Sequence, residues 1–517
     1  MIRMLLGAAF FAALFMAAPK AATAQDVTLS SRDGGVEVSG TLLSFDGEFY
    51  RVETVYGVLT LDSQAVLCEG PGCPDLEAYV AEFTLSGARS MGAVLMPALI
   101  EAFAARQGLS ARRMVRDDDH FTYVLGQPET GHDAARITFR LSTTAEGFAD
   151  LLAGETDLVM ALREARADEV VHAQEAGLGD LSDPARSRVV ALDALVPVVA
   201  RDNPLREIGA GALVALLSGQ EANWPGRDEA VVLHAAPQGS GLDELLAEKL
   251  LVPAGAQLAQ GVRRHADDAA LADAVARDPL GLAVTRLSDT GNARVLRTAG
   301  ACGMSPTLSR RSLKAEDYPF AAPLFLYTPA HHLPLLARDF LDFLSTPAAQ
   351  IVVRRAGFTD QAREEIPLAG QGERLANAIA QAGPEVGLEE LQRMVAAMKG
   401  AARLTTSFRF RGGSTALDAQ SAGNVAALAH ALESGAFDGR EMIFVGFSDG
   451  EGGAAVNRKI ARRRAQEVRA AVRAAAVWAD LSRVTLRVEA FGEALPMACD
   501  DTEWGRRVNR RVEVWLR

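Results

Sequence analysis

The sequence predicts a multidomain protein of mixed α/β and α+β class. It should comprise a small N-terminal β-barrel or meander, a large α/β block and a C-terminal β-α-β-α-β domain. Three observations predict this. Short alternating strands punctuated by turns fill the first part. Strands then alternate with amphipathic helices over the longest stretch. A shorter strand–helix alternation closes the chain. The length of 517 residues suggests three or four domains at about 100–200 residues each. Hydrophobic residues make up 49% and charged residues 23%, the composition of a folded chain. With 53 Lys+Arg against 66 Asp+Glu, the net charge of −13 argues against a general nucleic-acid binder, which needs a basic surface. Four cysteines are too few for a disulfide-built scaffold.

Residues 1–24 read as a secretory signal peptide. Arg3 supplies the positive end, Leu5 to Ala18 the apolar run, and Ala22-Thr23-Ala24 the small-residue cleavage site. The run is short for a bilayer span of about 20 residues, and no later apolar stretch reaches that length. The mature chain is therefore expected without a transmembrane segment and in an oxidising compartment, where disulfides form. Residues 25–78 alternate as strands do, with Asp46-Gly47 as a turn signal. Cys68 and Cys73 bracket Glu-Gly-Pro-Gly, a tight turn suited to a local disulfide, since two ligands do not make a metal site.

Residues 79–361 form the α/β block. A strand around Phe83 leads into Ser86-Gly-Ala-Arg89, then into a helix with Leu95, Leu99, Phe103 and Ala104 at helical spacing. Ligands of such sheets sit beyond the carboxyl ends of strands, where helix N-termini favour anions. Arg140-Leu-Ser142-Thr143 and Pro237-Gln-Gly-Ser240-Gly241 are two further loops of this kind. Capping and turn formation are the alternative roles for Ser86, Ser142, Thr143 and Ser240. Several stretches in order resemble the type II periplasmic binding proteins of the phosphate-binding kind. They are Ser86-Gly87, Gly154-Glu-Thr-Asp-Leu-Val159 with Arg163, Asp193 to Pro204, Leu217-Ser-Gly219 with Trp224, Tyr318-Pro319, Tyr327, and Phe340 to Ser345 before Gly357-Phe358. The resemblance implies two lobes hinged around a cleft that closes on a small anion, with Ser86, Arg89, Ser142, Thr143, Arg163 and Ser240 as solute-binding candidates. The sequence departs from the family at Gly239-Ser240-Gly241-Leu242. Ala236 stands where an Arg helps clamp the ligand, and the loop's Thr hydroxyl is missing. Arg89 and Arg163 are the candidates to substitute.

Residues 362–400 read as a helical linker, with Leu388, Leu391, Met394 and Met398 at helical spacing and a break at Gly383-Pro384. Residues 401–517 carry 18 Lys+Arg against 14 Asp+Glu, so the basic excess lies here and the rest of the chain is acidic. Strands are expected at 404–410, 442–445, 484–490 and 511–515, with helices at 418–432 and from Asn457, read as a cap, to about 477. On a 100° wheel Ile460, Ala461, Ala465, Val468 and Val472 face the sheet, and Arg464 falls at the inward edge. An inward Arg is costly unless paired. Asp449, ending the preceding strand, is the natural neighbour. The two would make either a structural ion pair or a cradle for a zwitterionic amino-acid end.

Gly446-Phe-Ser-Asp449, Asn457, Ala461-Arg-Arg-Arg464-Ala465, Phe491-Gly492-Glu493 and Asn509-Arg510-Arg-Val-Glu513 together resemble the OmpA-like peptidoglycan-binding domain. The resemblance implies noncovalent capture of the diaminopimelate of peptide stems. Asp449 would hold the amino end, Arg464 the carboxylate, Asn457 the loop between them, and Arg510 the border. Phe447 replaces a common His, and Arg411 replaces a common acid.

No nucleophile elbow or zinc-helix motif occurs, so no enzyme, cofactor or resident metal is expected. The expected protein is a non-enzymatic binder, periplasmic and associated with the cell wall or outer membrane. Peptidoglycan is its expected partner and a phosphate or other oxyanion its candidate solute. The alternative is an envelope adaptor whose two-lobed domain is a degenerate scaffold. Cys302 and Cys499 fit either a bridge or free thiols.

Overall fold

The computed structural model describes residues 26–517, except 33, 77, 384, 412, 413 and 415. The expected signal peptide, residues 1–24, and the expected break at Pro384 lie outside the described residues. The chain divides into two compact units, one ending at Ala81 and the other running from Glu82 to Arg517.

In the first unit, period-two burial builds a five-stranded antiparallel sheet. Its order is Gly57–Asp62, Phe49–Thr54, Glu37–Phe45, Val27–Ser31, Val66–Glu69. Val27, Leu29, Tyr50, Val52 and Val66 form its core. The pairings form an open row rather than a closed barrel among the described residues. Asp46 Oδ1 accepts from the amides of Glu48 and Phe49, which fixes the expected turn. The expected Cys68–Cys73 disulfide is present.

In the second unit one strand organises two lobes. Ser187–Val199 pairs along its first half with Ala321–Tyr327. Along its second half it pairs with Gly281–Arg286. The first lobe continues through Leu158–Ala161 and Ala81–Ala88 to a three-strand antiparallel edge. The second continues through Val232–Ala235. The sheet is mixed: Ser187–Val199 pairs antiparallel with both its neighbours, Leu158–Ala161 pairs parallel with Ala81–Ala88, and these inner strands are largely buried while the edge strand Ser110–Val115 is exposed. The helix Met96–Arg106 and the turn before it bury Leu95, Leu99, Phe103 and Ala104, as their spacing predicts.

The C-terminal sheet runs Glu365–Pro367, Ala402–Phe408, Arg511–Leu516, Glu441–Phe447, Thr485–Gly492. Met442 and Phe444 point to the helices Ala419–Glu433 and Ala454–Ala475. Ile443, Val445 and Phe447 point to the opposite face, where Leu391, Met394 and Met398 of Leu388–Met398 cover them. That is why Met442-Ile-Phe-Val445 is a continuous apolar run: both faces are buried. The stretch 362–400 is thus a layer of this sheet. It contributes the edge strand Glu365–Pro367 and two helices, Gly372–Ala380 and Leu388–Met398.

Two local expectations change. Gly453, not Asn457, is the N-cap of Ala454–Ala475, so that helix starts earlier than expected. Ile460 is 40% exposed and does not face the sheet, whereas Ala461, Ala465, Val468 and Val472 do.

Candidate binding sites

The first site gathers where the strand Glu441–Phe447 ends against the helix Ala454–Ala475. Strand and helix touch at Gly446, where an added Cβ would lie 2.1 Å from the Ala461 carbonyl oxygen, so only glycine fits. The chain then turns through Ser448, whose amide donates to the Gly492 carbonyl. Asp449 follows, 8% exposed. Its Oδ2 accepts from Arg510 Nη1 at 2.7 Å. Arg510 also pairs with Glu503 of the short helix Glu503–Asn509, an element the sequence reading lacked. Asn457, 2% exposed, donates to Glu493 at 2.8 Å and so ties the helix start to the Gly492 loop.

Arg464 lies half-buried, its guanidinium 5.2 Å from the centroid of the Phe410 ring. Among the described residues it has no hydrogen-bond or ion-pair partner. Burial, reinforced by the charge of Arg510, lowers its pKa, while Asp449 within electrostatic range acts the other way. The Asp449–Arg464 ion pair that the wheel suggested is not formed; Arg510 takes that place. Phe447 is fully buried, with the Arg511 guanidinium 4.3 Å from its ring centroid.

The second site is the cleft between the lobes, a cavity of about 980 Å³. Arg89, Ser142, Thr143 and Ser240 line it; Ser86 and Arg163 are not among its lining residues. Ser86 is fully buried and donates to Asp150. Arg163, 7% exposed, forks onto Glu169 with two 2.7 Å bonds and reaches Glu248 at 3.4 Å. Arg89 pairs with Asp119. Thr143 and Glu146 form a reciprocal capping box at the helix Thr144–Leu152. Ser240 caps Gly241–Leu246. Arg264, beside Ala236, donates to its carbonyl and to Asp243.

Between the sites lies a junction that no short motif announced. Cys302 and Cys499 are bridged. Arg403, fully buried, forks onto Asp317 at 2.6 and 2.8 Å and reaches Glu513 at 3.3 Å. Burial would raise the Glu513 carboxyl, but Arg374, Arg403 and Arg511 hold it well below its usual range. The Trp504 indole N–H donates to the Lys249 carbonyl in the second lobe at 2.8 Å. The Ala419 amide donates to Glu164 in the first at 3.1 Å. Partners 86 positions apart, as Arg403 and Asp317 are, leave no local signature. Among the described residues no group of three or more His, Cys, Asp and Glu side chains is placed to hold a metal ion. No described helix is long and apolar enough to cross a membrane.

Family models match two parts of the chain. Residues 122–347 match the PBP superfamily domain, and residues 409–510 match the OmpA family. The chain carries a PBP superfamily domain and an OmpA family domain.

No curated protein matches the chain. Among solved structures, an ABC-type phosphate transport receptor from Vibrio cholerae is similar at 16% identity and TM-score 0.41, over 53% of this chain and 98% of that one. A putative phosphate ABC transporter substrate-binding protein from Clostridium perfringens, with bound phosphate, is similar at 15% and 0.40, over 54% and 99%. A possible phosphate binding protein from Planctomyces limnophilus is similar at 15% and 0.39, over 59% and 99%. The OmpA match contains the first site; the second is lined partly by residues of the PBP match and partly by residues outside it, Arg89 and Asp119 among them.

Proposed function

We propose that the protein is an exported, non-enzymatic binder of the periplasm whose OmpA family domain holds it to peptidoglycan. Asp449 takes the ammonium of a stem diaminopimelate through the oxygen that Arg510 leaves open. Arg464 takes the carboxylate, Asn457 keeps the intervening loop in place, and Arg510 fixes the orientation of Asp449. The PBP superfamily domain is a solute-binding module held beside the wall. The observation that carries the wall reading is the Arg464 guanidinium, half-buried and without a partner among the described residues. A cation in that position is costly unless an anion arrives. A zwitterion supplies that anion and an ammonium for Asp449 together. Asp449→Asn and Arg464→Ala should each abolish co-sedimentation of the mature protein with insoluble wall while the protein stays folded. Normal sedimentation of both variants would remove the assignment.

A second reading has one observation in its favour. The OmpA family domain bonds to both lobes, through Glu164 and through Lys249, and is bridged to the second by Cys302–Cys499. Such bonds oppose a hinge motion, which suits an envelope adaptor with a fixed scaffold. Thermal stabilisation of the mature protein by a solute separates the readings, since a ligand at 100 times its Kd adds about 2.7 kcal/mol.

A further inference from the structure

The helix Ala454–Ala475 buries Asn457, Ala461, Ala465, Val468 and Val472 and leaves its other side bare. At 100° per residue, Lys459, Arg462, Arg463, Arg469 and Arg473 fall within an arc of about 120° on that bare side. They follow one another along about 21 Å of helix, at 1.5 Å per residue. Arg469 is half-buried and the other four are exposed. Arg463 reaches Glu467 only at 3.9 Å. Lys459, Arg462, Arg469 and Arg473 have no hydrogen-bond or ion-pair partner among the described residues.

Such a row costs stability in the free protein. Lys459 and Arg463, and Arg469 and Arg473, stand four positions apart, where like charges on a helix repel. Elsewhere in the domain the arginines are answered. Arg487 and Arg517 meet Glu441, Arg440 meets Glu365, and Arg506 meets Glu503. The chain as a whole is acidic, at −13, so the row is a local feature and not a sample of the general surface. An anionic surface lying along the helix would relieve the repulsion and be attracted by all five cations.

A second, independent feature stands at the end of the same helix. Val477 and Trp478 follow it, and Trp478 is 86% exposed. The turn that carries them is tied down. The Trp478 amide donates to Glu433 at 3.1 Å, and the Ala479 amide to the Ala476 carbonyl at 3.3 Å. The other three of the four tryptophans are placed differently: Trp224 and Trp515 are buried, and the Trp504 indole bonds to Lys249. Val456 and Ile460 add exposed apolar surface beside the cations. Cations along a helix with a bare tryptophan at its end make the composition of a face that lies in a bilayer interface. There the indole sits at headgroup depth and the cations meet lipid phosphates. A soluble polyanion would use the cations and leave Trp478 idle.

We propose that this face of the helix Ala454–Ala475 docks on a membrane surface bearing anionic headgroups, with Trp478 entering the interface. Arg464 lies at the inward edge of the same helix, so the candidate wall site and the membrane face look to different sides and are open together. The proposal does not rest on the wall reading.

The test floats the mature protein with vesicles of phosphatidylcholine alone, and with vesicles of phosphatidylcholine and phosphatidylglycerol in equal parts, while tryptophan emission is read in parallel. The protein should bind the mixed vesicles and not the neutral ones. Its emission should shift to the blue, and high salt should release it. Arg462 and Arg473 are exposed and hold nothing in place, so Arg462→Gln/Arg473→Gln should fold normally. It should weaken binding to the mixed vesicles about 30-fold, the effect of two charges at about 1 kcal/mol each. Trp478→Ala should lose the blue shift. Failure to bind the mixed vesicles, binding that the double variant leaves unchanged, or a blue shift that survives in Trp478→Ala would each overturn the proposal. Arginine-dependent binding of soluble polyglutamate, with the mixed vesicles silent, would assign the face to an acidic protein and overturn it too.

Discussion

In the OmpA family domain Arg464 lies half-buried over the Phe410 ring with no partner among the described residues. In the cleft, Arg89, Arg140 and Arg286 each face carboxylates of the protein itself. Both regions sit where strands end against helices, and both were expected to bind through arginine. The difference shows that an arginine in a pocket says little until its partners are known. A guanidinium already forked onto carboxylates has little left for a ligand, whereas an unpartnered one in a low-dielectric setting is a standing demand for an anion.

The largest expected effect tests whether the two regions share one folding unit. The Cys302–Cys499 bridge spans 197 positions. In the chain-entropy model a loop of that size is worth about 5 kcal/mol. Cys302→Ser/Cys499→Ser should lower the melting temperature sharply, and differential scanning calorimetry should then resolve the PBP and OmpA parts as separate transitions. A melting curve like that of the parent would break the idea that the junction is built around the bridge.

The next effect sharpens the contrast between the arginines. Removing Arg286 leaves Asp268 and Asp289 without their counter-charge, and breaking a buried pair costs about 3–5 kcal/mol. Removing Arg464 strands no partner among the described residues. Urea denaturation should show Arg286→Ala destabilised by about 3 kcal/mol or more, and Arg464→Ala as stable as the parent. Equal losses in the two variants would erase the distinction.

A pH-dependent effect lies at the junction between the regions. Burial, with the charge of Asp418 nearby, pushes the Glu316 carboxyl up to about 8, against the opposing pull of Arg409. Its unperturbed value is 4.5, so between about 4.5 and about 8 the folded state binds more proton than the unfolded one. Stability from this group is therefore full below that window and is lost as pH rises through it. Glu316→Gln should flatten the fall in melting temperature between pH 5 and 8.5, as about 1.4 kcal/mol per pKa unit implies. An unchanged profile would show that another group sets it.

Much of the C-terminal sheet was legible because Met442-Ile-Phe-Val445 is an apolar run, Thr485–Gly492 and Arg511–Leu516 alternate, and its helix carries a clean stripe at Ala461, Ala465, Val468 and Val472. The helix start was misread because Gly453 caps it by backbone conformation alone, with no side chain for a capping rule to find. Ile460 was misread because an apolar residue at the stripe's edge was assigned to the core. The spacing of Leu391, Met394 and Met398 predicted a buried face but could not say that the face belongs to the strand Glu441–Phe447, about 50 positions on. In the cleft, the loops were legible as helix starts. That Glu146 and Asp243 answer their amides is local and could have been read as capping chemistry. That Asp268 and Asp289 cancel Arg286 depends on how strand and helix pack together. Arg510 at Asp449 depends on a helix that no apolar stripe announced.

The central claim is that Asp449 and Arg464 together hold a zwitterion, and it is tested most directly by calorimetric titration of a soluble stem peptide. A peptide containing diaminopimelate and its lysine counterpart, which lacks the second carboxylate, should be compared on the mature protein and on Arg464→Ala. The account predicts that the parent binds the diaminopimelate peptide at least tenfold more tightly than the lysine peptide, and that Arg464→Ala abolishes this preference. Equal binding of the two peptides by the parent, or a preference that survives in Arg464→Ala, would contradict it.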